Sequence, residues 1–262
     1  MELTVENLRK RFGTSYVLDG VNFKLAGGEV ALLLGANAAG KSTLLKILAT
    51  IMKPTSGKIL FDGVDIVKNP EVMRKAVSYN PEFPILVNEL SLDENLKFFS
   101  RLFDYKGDLE DLKKQFKLSD GKKNVMKLSK GMRQRLSLAI SMMRDPKVVI
   151  LDEPTSGLDR ETISFTLDLI RQLSQKGKIV IVSSHDEEDL AKVATRVLIL
   201  EDGSLICDMP LEEVERNRLV EIIYKGKNML VKLSELERMK DYKIIRVLGI
   251  RESLASEFKN ER

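Results

Sequence analysis

The sequence predicts an α/β chain on a mainly parallel central sheet. It adds an antiparallel β portion near the N-terminal end, an inserted helical portion and a small α+β extension. Three observations predict this class. Strand-like runs at Val30–Leu34, Val148–Leu151, Ile179–Ser183 and Val197–Glu201 alternate with helical spacing. A glycine-bearing loop joins the first run directly to a helix-like segment. A mostly helical stretch from Ser91 to about Arg144 interrupts the alternation.

Leu3, Val5 and Leu8 alternate with polar residues, and Val21–Leu25 leads to a Gly27-Gly28 turn, so residues 1–34 read as strands and turns. After the glycine-bearing loop, Lys41–Thr50 carries helical spacing through Leu44, Leu45, Ile47 and Leu48. Pro54–Gly57 and Asp62-Gly63 bracket a short β segment at Lys58–Phe61. Ser91-Leu92-Asp93-Glu94 has the form of a capping box, with Leu96, Phe98, Phe99, Leu102 and Phe103 as the apolar face that follows. We assign Phe98, Phe99 and Phe103 to the core rather than to a contact surface, and Cys207, Met142 and Met143 likewise. Past Arg216 the pattern changes to short strands (Leu219–Tyr224, Met229–Lys232, Lys243–Val247) and two short helical pieces. Residues 216–262 are therefore expected to form a small separate unit. Its basic residues Lys225, Lys227, Arg238, Lys240 and Lys243 are interspersed with Glu, as on a solvated face.

The 262 residues comprise 43 basic and 39 acidic side chains, one His, one Cys and no Trp. One Cys excludes an intrachain disulfide framework and a Cys-cluster metal site. One His excludes a multi-histidine site and leaves a single imidazole for chemistry near pH 7. A net charge of +4 gives no reason to expect nucleic-acid binding. The apolar runs are far shorter than the ~20 residues of a spanning helix. MELTVENLRKRF is neither signal nor transit peptide. Any membrane span would have to come from another chain.

Gly35-Ala36-Asn37-Ala38-Ala39-Gly40-Lys41-Ser42 satisfies G-x-x-x-x-G-K-[ST], directly after an apolar strand and opening a helix. Roughly 0.01 chance matches are expected in a chain of this length at average composition. Such a loop curls backbone N–H groups around phosphate oxygens, with Lys41 adding full charge and Ser42 a hydroxyl for Mg²⁺. The motif predicts a P-loop NTPase. Val148–Leu151 then ends in Asp152-Glu153, a pattern that many buried strands share. Beside a phosphate loop it acquires chemistry: Asp152 to hold Mg²⁺ through water, and Glu153 to polarise the attacking water. His185 ends a further apolar run. A histidine there suits a structural or surface role as well as a catalytic one, but carboxyl ends of parallel strands are where ligands bind.

Many NTPases share those two motifs. Leu128-Ser129-Lys130-Gly131-Met132, placed before an amphipathic helix and the acidic strand, discriminates among them. With it, the chain resembles the ATP-binding cassette (ABC) family over about residues 1–215, in the right motif order, and within it the exporter-type branch of prokaryotes. LSKGM is similar to that family's LSGGQ-type signature, with Lys130 and Met132 as departures. The resemblance implies adenine stacking on Phe12 and nucleotide contacts from Gly35, Asn37, Ala38, Ala39, Gly40, Lys41, Ser42 and Thr43. It implies that Ser156-Gly157-Leu158-Asp159 is the D-loop and His185 the switch histidine. It also places the helical subdomain at about 83–144.

Two positions depart from the family pattern. Glu82, in Val77-Ser78-Tyr79-Asn80-Pro81-Glu82, stands where the family usually has Gln, on the loop that lines the Mg²⁺ site and couples to a permease. Its carboxylate can still ligate Mg²⁺ while adding negative charge near the phosphates. Ala36 and Ala38 replace the usual Pro and Gly, and Ala tolerates a positive φ poorly.

The resemblance implies a head-to-tail dimer, with itself or with a paralogous subunit, that sandwiches ATP and Mg²⁺. The phosphate loop of one protomer and the Ser129/Gly131 segment of the other then meet one γ-phosphate, with Asp159 linking the two sites. It further implies a separate integral-membrane permease received by the helical subdomain, on the cytoplasmic face of the cell membrane. A soluble cassette in a non-transport assembly, such as cluster assembly, is the alternative. A repair cassette needs a coiled-coil insertion, for which the 110 residues between Lys41 and Asp152 leave no room. Translation factors of this kind usually carry two cassettes. Exporter-type members often carry a small C-terminal unit, and Glu252–Phe258 resembles its last helix.

Overall fold

The structure, a computed structural model, describes residues 1–185, 187–224, 227–238, 242–250 and 252–253. Alternation at the N-terminal end becomes two long antiparallel strands, β1 (Glu2–Phe12) and β2 (Ser15–Ala26). Next comes the all-buried β3 (Val30–Gly35), followed by helix α1 (Lys41–Leu48). β4 (Ser56–Phe61) and β5 (Val64–Asp65) return to β1, giving a four-stranded antiparallel sheet in the order β2-β1-β4-β5.

Helix α2 (Pro70–Ala76) and strand β6 (Val77–Asn80) precede the helical portion. That portion contains α3 (Leu92–Leu102), α4 (Leu109–Gln115), a 3₁₀ turn at Val125–Lys127 and α5 (Lys130–Met142). The chain continues through β7 (Val148–Asp152), α6 (Arg160–Gln175), β8 (Ile179–Ser184), β9 (Arg196–Glu201), β10 (Ser204–Pro210) and α7 (Leu211–Arg216). The central sheet has the order β10-β9-β3-β8-β7-β6. Its four pairings among β9, β3, β8, β7 and β6 are parallel, and β10 runs antiparallel on the edge.

Strands β3, β7 and β8 read as nearly continuous apolar runs because both faces of the sheet are covered there. Val30, Leu32 and Leu34 enter one core, together with Leu96 of α3, Leu136 of α5 and Ile170 of α6. Ala31 and Leu33, pointing the other way, enter a second core with Leu44 and Leu48 of α1 and Leu3 and Val5 of the antiparallel sheet. Register then does the work that matters for function. Leu34 pairs with Ser184, Gly35 with Leu200, Asp152 with Ser183 and Asn80 with Leu151. The carboxyl ends of β3, β6, β7 and β8 therefore lie along one rim, and every segment that follows them starts there.

The capping box predicted at Ser91 is formed in full, with Ser91 and Glu94 satisfying each other's backbone N–H groups. One expectation on α3 is corrected. Phe99 and Phe103 pack against the core, but Phe98 is 47% exposed. It lies two residues beyond buried Leu96, about 200° around the helix, so the stripe through Leu92 and Leu96 turns away from it. Cys207 and Met143 are buried, and Met142 packs against the core, as expected.

Beyond Arg216, β11 (Leu219–Tyr224), β12 (Lys227–Lys232) and β13 (Tyr242–Val247) form an antiparallel sheet in the order β12-β11-β13. A 3₁₀ segment at Leu233–Arg238 adds Leu236 to a small core of Val220, Ile222 and Val231. Lys225, Lys240 and the 254–258 part of the expected last helix lie outside the described residues.

Candidate active site

The phosphate loop is built where β3 stops and α1 starts. Gly40 is the N-cap of α1 at φ 103°, and a Cβ there would stand 2.7 Å from the Val17 carbonyl oxygen, so both backbone and space require glycine. Ala38 holds φ 67°, the left-handed region that the sequence made doubtful for it. The loop is kept in shape partly by Lys41, whose Nζ donates to the carbonyls of Gly35 (2.8 Å) and Ala36 (3.2 Å). A cavity of about 360 Å³ opens over this loop, lined by residues 36–38 and 40–43 together with Val17, Glu82 and Glu153.

Two successive carboxylates at the end of β7 take different environments. Asp152 is buried and accepts from the Ser183 hydroxyl at Oδ1 (2.6 Å) and the Tyr79 hydroxyl at Oδ2 (3.1 Å). Burial and the charge of Asp152 push the Tyr79 phenol well above its ordinary value, so Tyr79 stays a donor. Glu153 turns out of the strand at φ 50°, a left-handed conformation costly for a side-chain-bearing residue. Its N–H donates to Ser183 Oγ at 3.0 Å, so one serine hydroxyl anchors both acids.

The Glu153 carboxylate sits between two nitrogen groups. Lys41 Nζ is 3.9 Å from Oε1, and His185 Nδ1 is 2.8 Å from Oε2. An ionised carboxylate only accepts, so the imidazole proton of this contact belongs on Nδ1. The sequence predicted Lys41, Glu153 and His185 from three distant segments, and the rim of the sheet brings them together. Glu82, exposed on the loop after β6, lines the same cavity. Phe12 is half exposed at the tip of the β1–β2 hairpin, with Lys10 Nζ 4.9 Å from its ring centre, and it is not part of that lining.

The segment Leu128–Met132 does not line the cavity either. It forms the start of α5, where Ser129 is the N-cap and its Oγ accepts from Met132 N–H at 3.1 Å. Leu128 and Gly131 are buried, whereas Ser129 and Lys130 are exposed. Asp159 caps α6, and the Thr162 N–H it accepts at 2.8 Å holds its carboxyl below the usual range.

Residues 18–156 match the family model described as ABC transporter. The chain belongs to that family. The daunorubicin resistance ATP-binding protein DrrA3 of Streptomyces coeruleorubidus is 33% identical over 219 residues, covering 81% of this chain and 69% of that protein. The ABC transporter ATP-binding protein NatA of Bacillus subtilis is 33% identical over 218 residues, covering 79% and 88%. Among solved structures, an ATP-binding subunit of an ABC transporter superposes with a TM-score of 0.74 at 29% identity, covering 82% of this chain and 92% of that one. A dimeric bacterial ABC transporter cassette gives 0.70 at 25% identity, covering 80% and 98%. This cassette is an ATPase of the P-loop class, and the mixed sheets described above are its fold.

Three side chains of the cassette site escaped sequence reasoning: Val17, Tyr79 and Ser183. Ser183 carried a signal, being a hydroxyl at the buried end of an apolar strand. Tyr79 stood three residues before Glu82 without a feature of its own, and Val17 lies too far from the loop in sequence to be seen.

The donor set suits a hard cation. Ser42 and Glu82 bring oxygens to the cavity, and both oxygens of Asp152 keep a lone pair beyond the bond each accepts. Among the described residues no cluster of three or more His, Cys, Asp or Glu could hold a metal.

Proposed function

We propose that this chain is the energising subunit of an exporter. In this reading residues 1–215 are the nucleotide-binding domain and 216–262 an extension. ATP lies between the phosphate loop of one copy and the Ser129/Gly131 segment of a second copy or a paralogue. The observation that carries this reading is Glu153, which projects over the phosphate-loop cavity with its carboxylate between Lys41 and His185.

Each residue then has a task. Residues 35–43 surround the phosphates, and Lys41 gives up its contact with Glu153 to meet the β- and γ-phosphates. Ser42 and Asp152, with Glu82, would hold Mg²⁺, whose charge offsets that of the phosphates. Glu153 orients and polarises the attacking water, and His185 holds the γ-phosphate by turning an imidazole N–H to one of its oxygens. Phe12 offers an exposed aromatic face for the adenine. The signature residues Leu128–Met132 lie away from their own cavity, which supports a contact made in trans, and Asp159 faces the same junction.

No described helix is long and apolar enough to cross a membrane. In this reading the permease is a separate chain, and this subunit sits against the cytoplasmic membrane face. Exposed Phe98 and Leu102 with Lys97 and Arg101 line a groove on α3, which supports the helical subdomain as the docking side. A relative named Nod factor export ATP-binding protein I, of Burkholderia lata and 33% identical over 210 residues, supports export as the direction.

Steady-state ATPase measurements on the purified chain and on Lys41→Ala test the proposal. We expect Mg²⁺-dependent turnover in the first and lost nucleotide binding in the second. Unchanged ATP affinity in Lys41→Ala would count against the phosphate-loop assignment.

A further inference from the structure

The contact made by Lys130 joins two segments that both belong to the proposed dimer interface. Lys130 Nζ donates to the Ser156 carbonyl at 2.5 Å. Ser156 lies three residues after Glu153, and its own N–H reaches back to the Glu153 carbonyl at 3.3 Å. The tie is one of several along the same side of α5. A Cβ on Gly131 would stand 2.5 Å from Thr162 Oγ1 and 3.0 Å from Asp159 Oδ2, so that glycine lets α5 press against the cap of α6. One turn on, buried Arg135 donates to Glu161 (3.0 Å) and lies 3.4 Å from Thr162 Oγ1. The start of α5 and residues 156–162 therefore form one packed unit.

We propose that Lys130 is a positioning residue that ties the signature segment to the loop after Glu153 within one chain. Engagement of the signature with a partner-held nucleotide then registers at this chain's own Glu153. The backbone argument is direct. Glu153 sits at φ 50°, a conformation kept only if the chain is held on both sides. Ser183 holds it from the N–H side, and the Ser156 turn is the first anchor on the other. An ammonium bonded to a carbonyl is a charge-assisted contact, stronger than a neutral one of the same length. A glycine at position 130, as in the LSGGQ pattern, has no side chain to span the gap. The consequence for turnover rests on the head-to-tail reading; the tie itself does not.

The test uses the full chain with Lys130→Met and Lys130→Arg. In the nucleotide-free protein we expect amide hydrogen exchange over residues 156–158 to accelerate at least threefold in Lys130→Met and to return toward wild type in Lys130→Arg. In ATPase assays we expect Lys130→Met to lose five- to tenfold in kcat and its ATP cooperativity, with monomer ATP affinity unchanged and partial rescue by Arg. Unchanged exchange without nucleotide overturns the proposal. So does a raised KM at unchanged kcat, which would make Lys130 a phosphate contact instead. Accelerated exchange with unaltered kinetics overturns the coupling. A wild-type chain that never dimerises with ATP sinks the head-to-tail reading, while the exchange difference would still stand.

Discussion

In the proposed mechanism Glu153 is the residue on which the chemistry turns. Replacing it by Gln keeps size and hydrogen bonding but removes the base, which is worth about 10²–10⁴-fold in rate. We expect Glu153→Gln to bind ATP and hydrolyse it at least a hundredfold more slowly; undiminished turnover would remove Glu153 from its role. Glu82 presents the opposite case, a carboxylate where the family usually has an amide. If its charge opposes the phosphates, Glu82→Gln raises the ATPase rate, and a fall in rate would make the carboxylate an asset. Ala38 at φ 67° carries strain of about 1 kcal/mol, and glycine there would add unfolded-state entropy of about the same size. Ala38→Gly should therefore leave the melting temperature almost unmoved, and tighter ATP binding would reveal that the alanine distorts the loop. Cys207 is buried, which pushes its thiol up to about 11. It should resist alkylation at pH 8 until the protein is unfolded, because the thiolate is scarce and covered; rapid native-state labelling would contradict its place in the core.

Elements were legible where local chemistry and burial agreed. The strand ends around Gly35, Asp152 and Ser184 were readable because continuous apolar runs can only be buried on both faces, and polar residues at their ends stand out. Helix α3 announced its start through Ser91 and Glu94, and loss of that cap is measurable. Ser91→Ala should cost about 1 kcal/mol in denaturant unfolding. No change in stability would mean that Glu94 and the packing of Leu92 and Leu96 suffice. Elsewhere the pattern was silent. Strand β10 mixes polar and apolar residues because it lies on an edge, with only Cys207 fully buried. Phe98 was misplaced since a helical face of five apolar residues is wider than the stripe that packs. The sequence also had no means of seeing Tyr79 and Ser183 converge on Asp152, for that depends on strand register rather than on spacing.

At the scale of the whole molecule, one rim of a six-stranded sheet collects the phosphate loop, two acids and the only histidine, while the signature segment is carried elsewhere on α5. In the proposed reading, an active site divided in this way is incomplete in one copy. The account therefore stands or falls on nucleotide-dependent association. The most direct measurement is sedimentation or light scattering of Glu153→Gln with and without saturating ATP and Mg²⁺. We predict a dimer with ATP, and a monomer without nucleotide or with ADP. A variant that binds ATP yet stays monomeric at every concentration would contradict the account.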